Sequence, residues 1–361
     1  MAVMTINGVI NRSELGITSP HEHALIDIRN QYTGCTDPSS HGWRDKVTSE
    51  NLDELLVNPY SMRDNLILDD KVMSISEISL AVGAGLRTFV DVTPSGIGRD
   101  PLFLRRLSQR TDLNVVMGCG FYTVDTHPPH VRAFSEEVLA AEMICDLTKG
   151  IDGTEICAGV IGELGTSEII HEDEKKVLRA AALAHHATGA PLMIHLCPWG
   201  KNGLDVLDIM ESVGVEPSRV CMCHTDVPLD LPYMREILRR GTFLEFDNFG
   251  KQFHINVPYG KFPSDEERLS SFYQLVDIGY ADQILLSCDI CLKVLYRRFG
   301  GKGYSHILGD IADRIRSQRQ DADKLLHKIL INNPMQYLDN LKLDNLRNFY
   351  AERYYLPSKK G

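Results

Sequence analysis

The sequence has no excess of basic charge: 38 Lys and Arg stand against 49 Asp and Glu, a formal net charge of -11. A basic nucleic-acid footprint is excluded. No run of about 18 apolar residues occurs, and the first residues lack a charged segment followed by an apolar one, so neither a membrane span nor a secretory leader is expected. There is no G-x-x-x-x-G-K-[ST] loop and no G-x-G-x-x-G after a strand, which removes the usual support for nucleotide-cofactor chemistry. Nine scattered cysteines, several in apolar runs, do not form a disulfide framework and point to a reducing cytoplasm. Linkers, low-complexity tracts and internal repeats are also missing, which favours one domain over 1–361.

What is present is alternation. Short apolar runs at 16–23, 87–94, 114–122, 157–165, 191–197, 219–226, 242–250 and 283–289 are each bounded by turn residues. Stretches of helical spacing follow at 72–84, 102–110, 132–148, 173–188, 204–213, 229–240, 265–278 and 305–316. Near-continuously apolar strands belong to a parallel sheet covered on both faces. Eight strand–helix units predict an α/β (β/α)₈ TIM barrel, with an open doubly wound sheet as the competitor. Outside the repeat lie an N-terminal hairpin turning at Asn7-Gly8, an insertion at 24–70 read as a lid or pocket wall, and a tail with helical pieces at 322–331 and 335–341.

The ends of these strands carry ionisable residues that an apolar run does not need: His21 and His23, then Glu163, His195, His224 and Asp289. In a barrel they converge on the rim where the strands end. His21 and His23, two apart in a strand, face the same side. Taken singly, each has an ordinary reading as a hydrogen-bonded rim histidine, a paired acid or a cap. Together, four His and two carboxylates suit a pair of borderline divalent ions: Zn²⁺ first, with Mn²⁺, Co²⁺ or Ni²⁺ as alternatives. The Cys288/Cys291 and Cys221/Cys223 pairs lack the second pair that a zinc or redox motif requires.

The runs ELGITSPHEHALID, AGVIGELGTSE, PLMIHL, CHTD, FLEFDNFGK and ILLSCDICLK with RRFGGKGYSHIL resemble the phosphotriesterase family of the amidohydrolase superfamily. The resemblance spans nearly the whole chain. It implies a barrel with a binuclear metal centre that hydrolyses phosphoesters, lactones, carboxylic esters or amides. His21, His23 and Asp289 would then hold the more buried metal, and His195 and His224 the more exposed one. Members with a carboxylated lysine bridge carry it on strand four, but 156–170 contains no lysine. Glu163 is the substitute, as in the family's glutamate-bridged branch, which turns the expectation away from organophosphates and homoserine lactones.

Two such ions lower the pKa of a shared water and polarise the substrate oxygen, so a metal-bridging hydroxide is the expected nucleophile and Asp289 the catalytic base. Lys251, Arg298, Tyr122 and Tyr304 are the substrate-binding candidates, the cations meeting an anionic group. The expected substrate is a small anionic lactone, ester or amide, with a sugar lactone, possibly phosphorylated, as first choice. Phosphotriesters and N-acyl amides, N-acyl amino sulfonates among them, are alternatives, a mononuclear deaminase-like enzyme is a rival, and a non-catalytic binding barrel is a remote one. A homodimer or other homo-oligomer is expected, with no nucleic-acid or membrane partner.

Overall fold

The computed structural model describes residues 2–255 and 260–340. Eight strands form one sheet: β1 (Thr18–Glu22), β2 (Thr88–Asp91), β3 (Asn114–Cys119), β4 (Val160–Gly165), β5 (Leu192–His195), β6 (Val220–Met222), β7 (Phe243–Phe246) and β8 (Ile284–Leu286). Each pairs in parallel with the next in the chain. The result is a nearly closed (β/α)₈ barrel with helices around it. At the β1–β8 seam the carboxylate of Glu22 accepts from the N–H groups of Cys288 (3.1 Å) and Ile290 (2.9 Å), joining the two edges through a side chain.

Apart from β1, whose Thr-Ser-Pro-His-Glu is buried but polar, the strands are mainly apolar because both faces are covered. Val90, Val92, Val116, Val160, Met193, Phe243 and Leu285 point into the barrel, while neighbours such as Phe89, Val115 and Ile161 pack under the helices. Val3 of the N-terminal hairpin and Tyr337 join the inner cluster. Helix starts carry side-chain caps. Asp70 caps α1 (Lys71–Gly83) and Asp100, with Pro101 behind it, caps α2 (Pro101–Thr111). Ser264 and Glu267 form a reciprocal capping box on α4 (Asp265–Leu275), the helix after β7.

Several expected boundaries move. The segment at 132–148 splits into Pro129–Ala133 and α3 (Glu136–Thr148), because Phe134 and Ser135 take extended backbone angles. The helix expected at 305–316 begins as a wide turn, Ile307–Ile311, before Ala312–Gln318. The hairpin strands are Ala2–Thr5 and Gly8–Asn11, so the two-residue loop is Ile6-Asn7, one residue earlier than expected. The Thr5 hydroxyl donates to Gly8 O (2.7 Å) and accepts from Asn7 N–H (3.2 Å), which closes that loop. In the tail, Ala322–His327 and Asn333–Tyr337 are helical, and 341 falls outside the described residues.

The 24–70 insertion folds back against the barrel. Ile26–Asp27 pairs antiparallel with Ile67–Leu68. Lys293 donates to Asp64 (2.8 Å) and Val294 N–H to Asn65 (2.8 Å), fixing the insertion to the segment after β8. Among the described residues no helix is long and apolar enough to cross a membrane.

Candidate active site

The six residues expected as ligands meet at the ends of β1, β4, β5, β6 and β8. Glu163 lies at the centre, 2% exposed. Its carboxylate oxygens are 3.5 Å from His21 Nε2, 3.4 Å from His23 Nε2, 3.2 Å from His195 Nδ1 and 3.4 Å from His224 Nε2. Asp289 Oδ1 is 3.1 Å from His23 Nε2 and 3.8 Å from His21 Nε2. Three overlapping sets of donor atoms, each within 4.8 Å, cover all six residues: His21–His23–Glu163, His21–His224–Asp289 and Glu163–His195–His224.

This donor set fits a pair of divalent ions. His21 is fully buried, yet its Nε2, turned to the cluster, has no hydrogen-bond partner among the described residues. A buried imidazole is left so only at a cost, unless a ligand completes it. The electrostatics agree. Burial works against charge on His21 and His23, but Glu163 and Asp289, joined by Glu245 at His21, outweigh it and push them up to about 9 and about 10. His224 rises well above its ordinary value, Asp247 outweighing burial, while burial and the neighbouring His224 lower His195. Burial alone would raise Glu163, but the surrounding imidazoles hold it well below the usual carboxylate range. Carboxylates packed this closely around the imidazoles favour positive charge there, which suits metal.

Outer groups orient the rings. His23 Nδ1 lies 2.8 Å from Thr93 Oγ1 and His224 Nδ1 lies 3.0 Å from Asp247 Oδ1, which leaves each Nε2 turned to the cluster. His21 Nδ1 faces Glu245 at 3.3 Å and Asp247 at 3.5 Å. Such partners set the ligating nitrogen and its basicity. Sequence reading missed Glu22, Glu245 and Asp247. The signal was there for the last two: acids two apart in the apolar run FLEFD share a face, as His21 and His23 do.

Above the cluster opens a cavity of about 510 Å³, walled by Tyr60, Tyr122, Trp199, Phe253, Phe262 and Leu292 among others. Two of the four substrate-binding candidates line it. The Tyr122 hydroxyl is 3.2 Å from His195 Nδ1. Lys251, 4% exposed, is in direct contact with Asp289 Oδ2 and carries the only Lys or Arg ammonium or guanidinium in the lining among the described residues. Asp289 therefore turns Oδ1 to the histidines and Oδ2 to the lysine. Lys251 and His23 hold its carboxyl far down against the effect of burial.

The other two candidates lie elsewhere. Arg298 is exposed and does not line the cavity; its backbone N–H and that of Arg297 bond to Glu77 of α1 at 3.0 and 2.8 Å. The buried stretch 292–296 after β8 carries the chain to that helix before the arginines are reached. Tyr304 is buried behind His23 and donates to its carbonyl oxygen (2.7 Å), so it supports a histidine and does not reach the cavity.

Residues 1–338 match the model of the phosphotriesterase family. The chain belongs to that family. It is a phosphotriesterase-family hydrolase, a class whose centre is binuclear and metal-dependent, with clustered His and carboxylate donors to match. The N-acetyltaurine hydrolase of Mus musculus is 36% identical over 347 residues, covering 93% of this chain and 97% of that protein. Among solved structures, a resiniferatoxin-binding protein from Rhodobacter sphaeroides superposes with a TM-score of 0.90 at 36% identity, covering 94% of this chain and 95% of the other. The phosphotriesterase homology protein of Escherichia coli, complexed with phosphate in its active site, gives 0.74 at 30% identity, covering 90% and 99%.

Proposed function

We propose that this hydrolase cleaves the amide bond of small anionic N-acyl compounds, N-acyl amino sulfonates or N-acyl amino acids. The observation that carries the reading is Lys251, a buried cation in the cavity lining and against the carboxylate of Asp289. It can meet a substrate anion close to the reacting carbon. The mouse relative is named for such a substrate, an N-acylated amino sulfonate. Lactones and carboxylic esters present the same acyl carbon, so the sugar lactone expected from the sequence is a comparison substrate.

His21, His23 and Asp289 would hold one divalent ion and His195 and His224 the other, with Glu163 between them; imidazole and carboxylate donors suit Zn²⁺. Bound there, the ions would supply Lewis acidity toward the acyl oxygen and acidify the attacking water. The chain's own groups do the rest. Asp289 accepts the proton of that water and returns it to the leaving nitrogen. Lys251, in contact with Asp289 Oδ2, leaves Oδ1 turned to the histidines and its own ammonium at the cavity wall. Tyr122 turns its hydroxyl to the cavity beside His195 and orients the acyl group. The aromatic walls keep bulk water from the reacting bond.

The test is a substrate panel on enzyme reconstituted with Zn²⁺ or Mn²⁺: N-acetyltaurine, N-acetyl amino acids, sugar lactones with and without phosphate, carboxylic esters and a phosphotriester. The anionic amides should give the highest kcat/KM. Fast lactone or ester turnover with no amine released from any amide overturns the amide reading.

A further inference from the structure

Arg268, on α4, is fully buried, and so is its partner Asp226; Nε lies 3.0 Å from Asp226 Oδ2. A buried ion pair is a poor device for stability alone, because apolar side chains of similar volume often serve as well or better. The connections of this pair indicate another use. Asp226 follows β6 by four residues and accepts from Asn248, which follows β7, through its backbone N–H (3.0 Å) and its side-chain amide (2.7 Å). The same amide donates to Asp247 Oδ1 (2.6 Å). Asp247 in turn accepts from the His224 backbone N–H (2.9 Å) and lies 3.0 Å from His224 Nδ1. His224 stands at φ +62°, a left-handed conformation that a side chain of its size adopts only when surroundings hold it there. On its other prong, Arg268 Nη1 donates to the carbonyl oxygens of Lys251 (3.1 Å) and Pro263 (2.6 Å).

We propose that Arg268 is a positioning residue for the active site: through Asp226, Asn248 and Asp247 it orients the His224 ring, and through the Lys251 carbonyl it keeps the ammonium of Lys251 beside Asp289. The planar guanidinium fork matters because it reaches Asp226 and two carbonyls at once, which a lysine ammonium does not do with the same geometry. Arg268 touches neither substrate nor any of the six donor residues. Its effect passes through the backbone and carboxylates that leave β6 and β7. The inference rests on the reading of His224 as a metal donor.

The test compares wild type with Arg268→Met, Arg268→Lys and Asp226→Asn, each loaded with Zn²⁺. Three quantities are measured: metal retained against a graded chelator, kcat and KM on N-acetyltaurine, and the melting temperature. Arg268→Met and Asp226→Asn should lose metal at about 10-fold lower chelator and lose about 10-fold in kcat at saturating Zn²⁺, within the 10–100-fold range typical of groups that orient metal ligands. Arg268→Lys should recover part of both. A purely structural role predicts a different pattern: a lower melting temperature, with folded, metal-loaded variants matching wild type in chelator resistance and kcat. That pattern overturns the proposal. Should Arg268→Met fail to fold, Arg268→Lys and Asp226→Asn decide by the same criteria. The chelator titration needs no substrate, so a wrong substrate choice leaves it intact. A wild-type protein that binds no metal overturns the donor reading itself.

Discussion

Glu163 is the residue on which the site turns, since four imidazoles lie within 3.5 Å of its carboxylate. Glu163→Gln keeps the shape but removes the negative charge. It should release at least one of two metal ions, measured as metal per chain, and nearly abolish hydrolysis; full occupancy with normal turnover would contradict the bridging role. Asp289→Asn removes the proton acceptor and should lower kcat by at least about 10²–10⁴-fold, the usual worth of a positioned acid–base group. Retained metal with kcat within a few-fold of wild type would assign the base elsewhere. For Lys251 the expectation is different, because a charge that grips the substrate's anionic group, which is not itself the reacting bond, acts much alike in ground and transition states. Lys251→Met should raise KM more than it lowers kcat, and kcat/KM should fall roughly 10- to 150-fold for an anionic amide, from the about 1.5–3 kcal/mol of a charge-assisted hydrogen bond. A neutral analogue measured alongside should respond much less; equal responses would remove Lys251 from anion recognition.

At the scale of elements, strand ends deliver chemistry and helices deliver the frame. Helix α3 illustrates the frame. Its Asp146 is tied to Arg99, from the loop after β2, at 3.1 Å. Burial raises Asp146 to about 7, with Arg99 pulling the other way. A carboxyl raised on folding binds more protons folded than unfolded between about pH 4 and 7, so its contribution to stability falls as pH climbs through that window. Asp146→Asn removes the titration. The difference in unfolding free energy between variant and wild type should therefore grow in the variant's favour from pH 4 to 7 in denaturant titrations. A difference that does not change with pH would show that Asp146 titrates normally. The insertion at 24–70 is a second case. Its length marked it as a wall or lid, and Tyr60, Ile28 and Asn30 do line the cavity. The pins at Asp64 and Asn65, which hold it to the barrel, lie more than 220 residues from their partners in the chain.

For the whole molecule, metal held by the six candidate donors would be a cross-link between β1, β4, β5, β6 and β8, since the donors come from all five. Ligand that binds only the folded state stabilises by mass action, about 4 kcal/mol at a thousandfold excess over Kd. Exhaustive chelation should lower the melting temperature by several degrees and abolish hydrolysis, and Zn²⁺ should restore both. An unchanged melting curve after chelation that does remove metal would mean that the barrel carries the site without help from it.

The sequence by itself determined the barrel and singled out the six residues that gather at its rim. Apolar runs buried on both faces have one common architecture in an eightfold alternation, and six imidazoles and carboxylates at the same ends of such runs point together to chemistry where each alone would not. Boundaries were less legible, as at Ser135 and the 305–316 segment, because local backbone angles there follow packing more than periodicity. What only the tertiary structure decided was which polar groups share a space. Lys251 and Arg298 looked equivalent as cations beyond adjacent strands, yet one faces Asp289 in the cavity and the other is drawn to Glu77 on α1. Arg268 gave no sign in the sequence at all, being one charge on an amphipathic helix. It became meaningful only when folding closed it over Asp226 and the Lys251 carbonyl, because a buried charge takes its role from the partners that surround it.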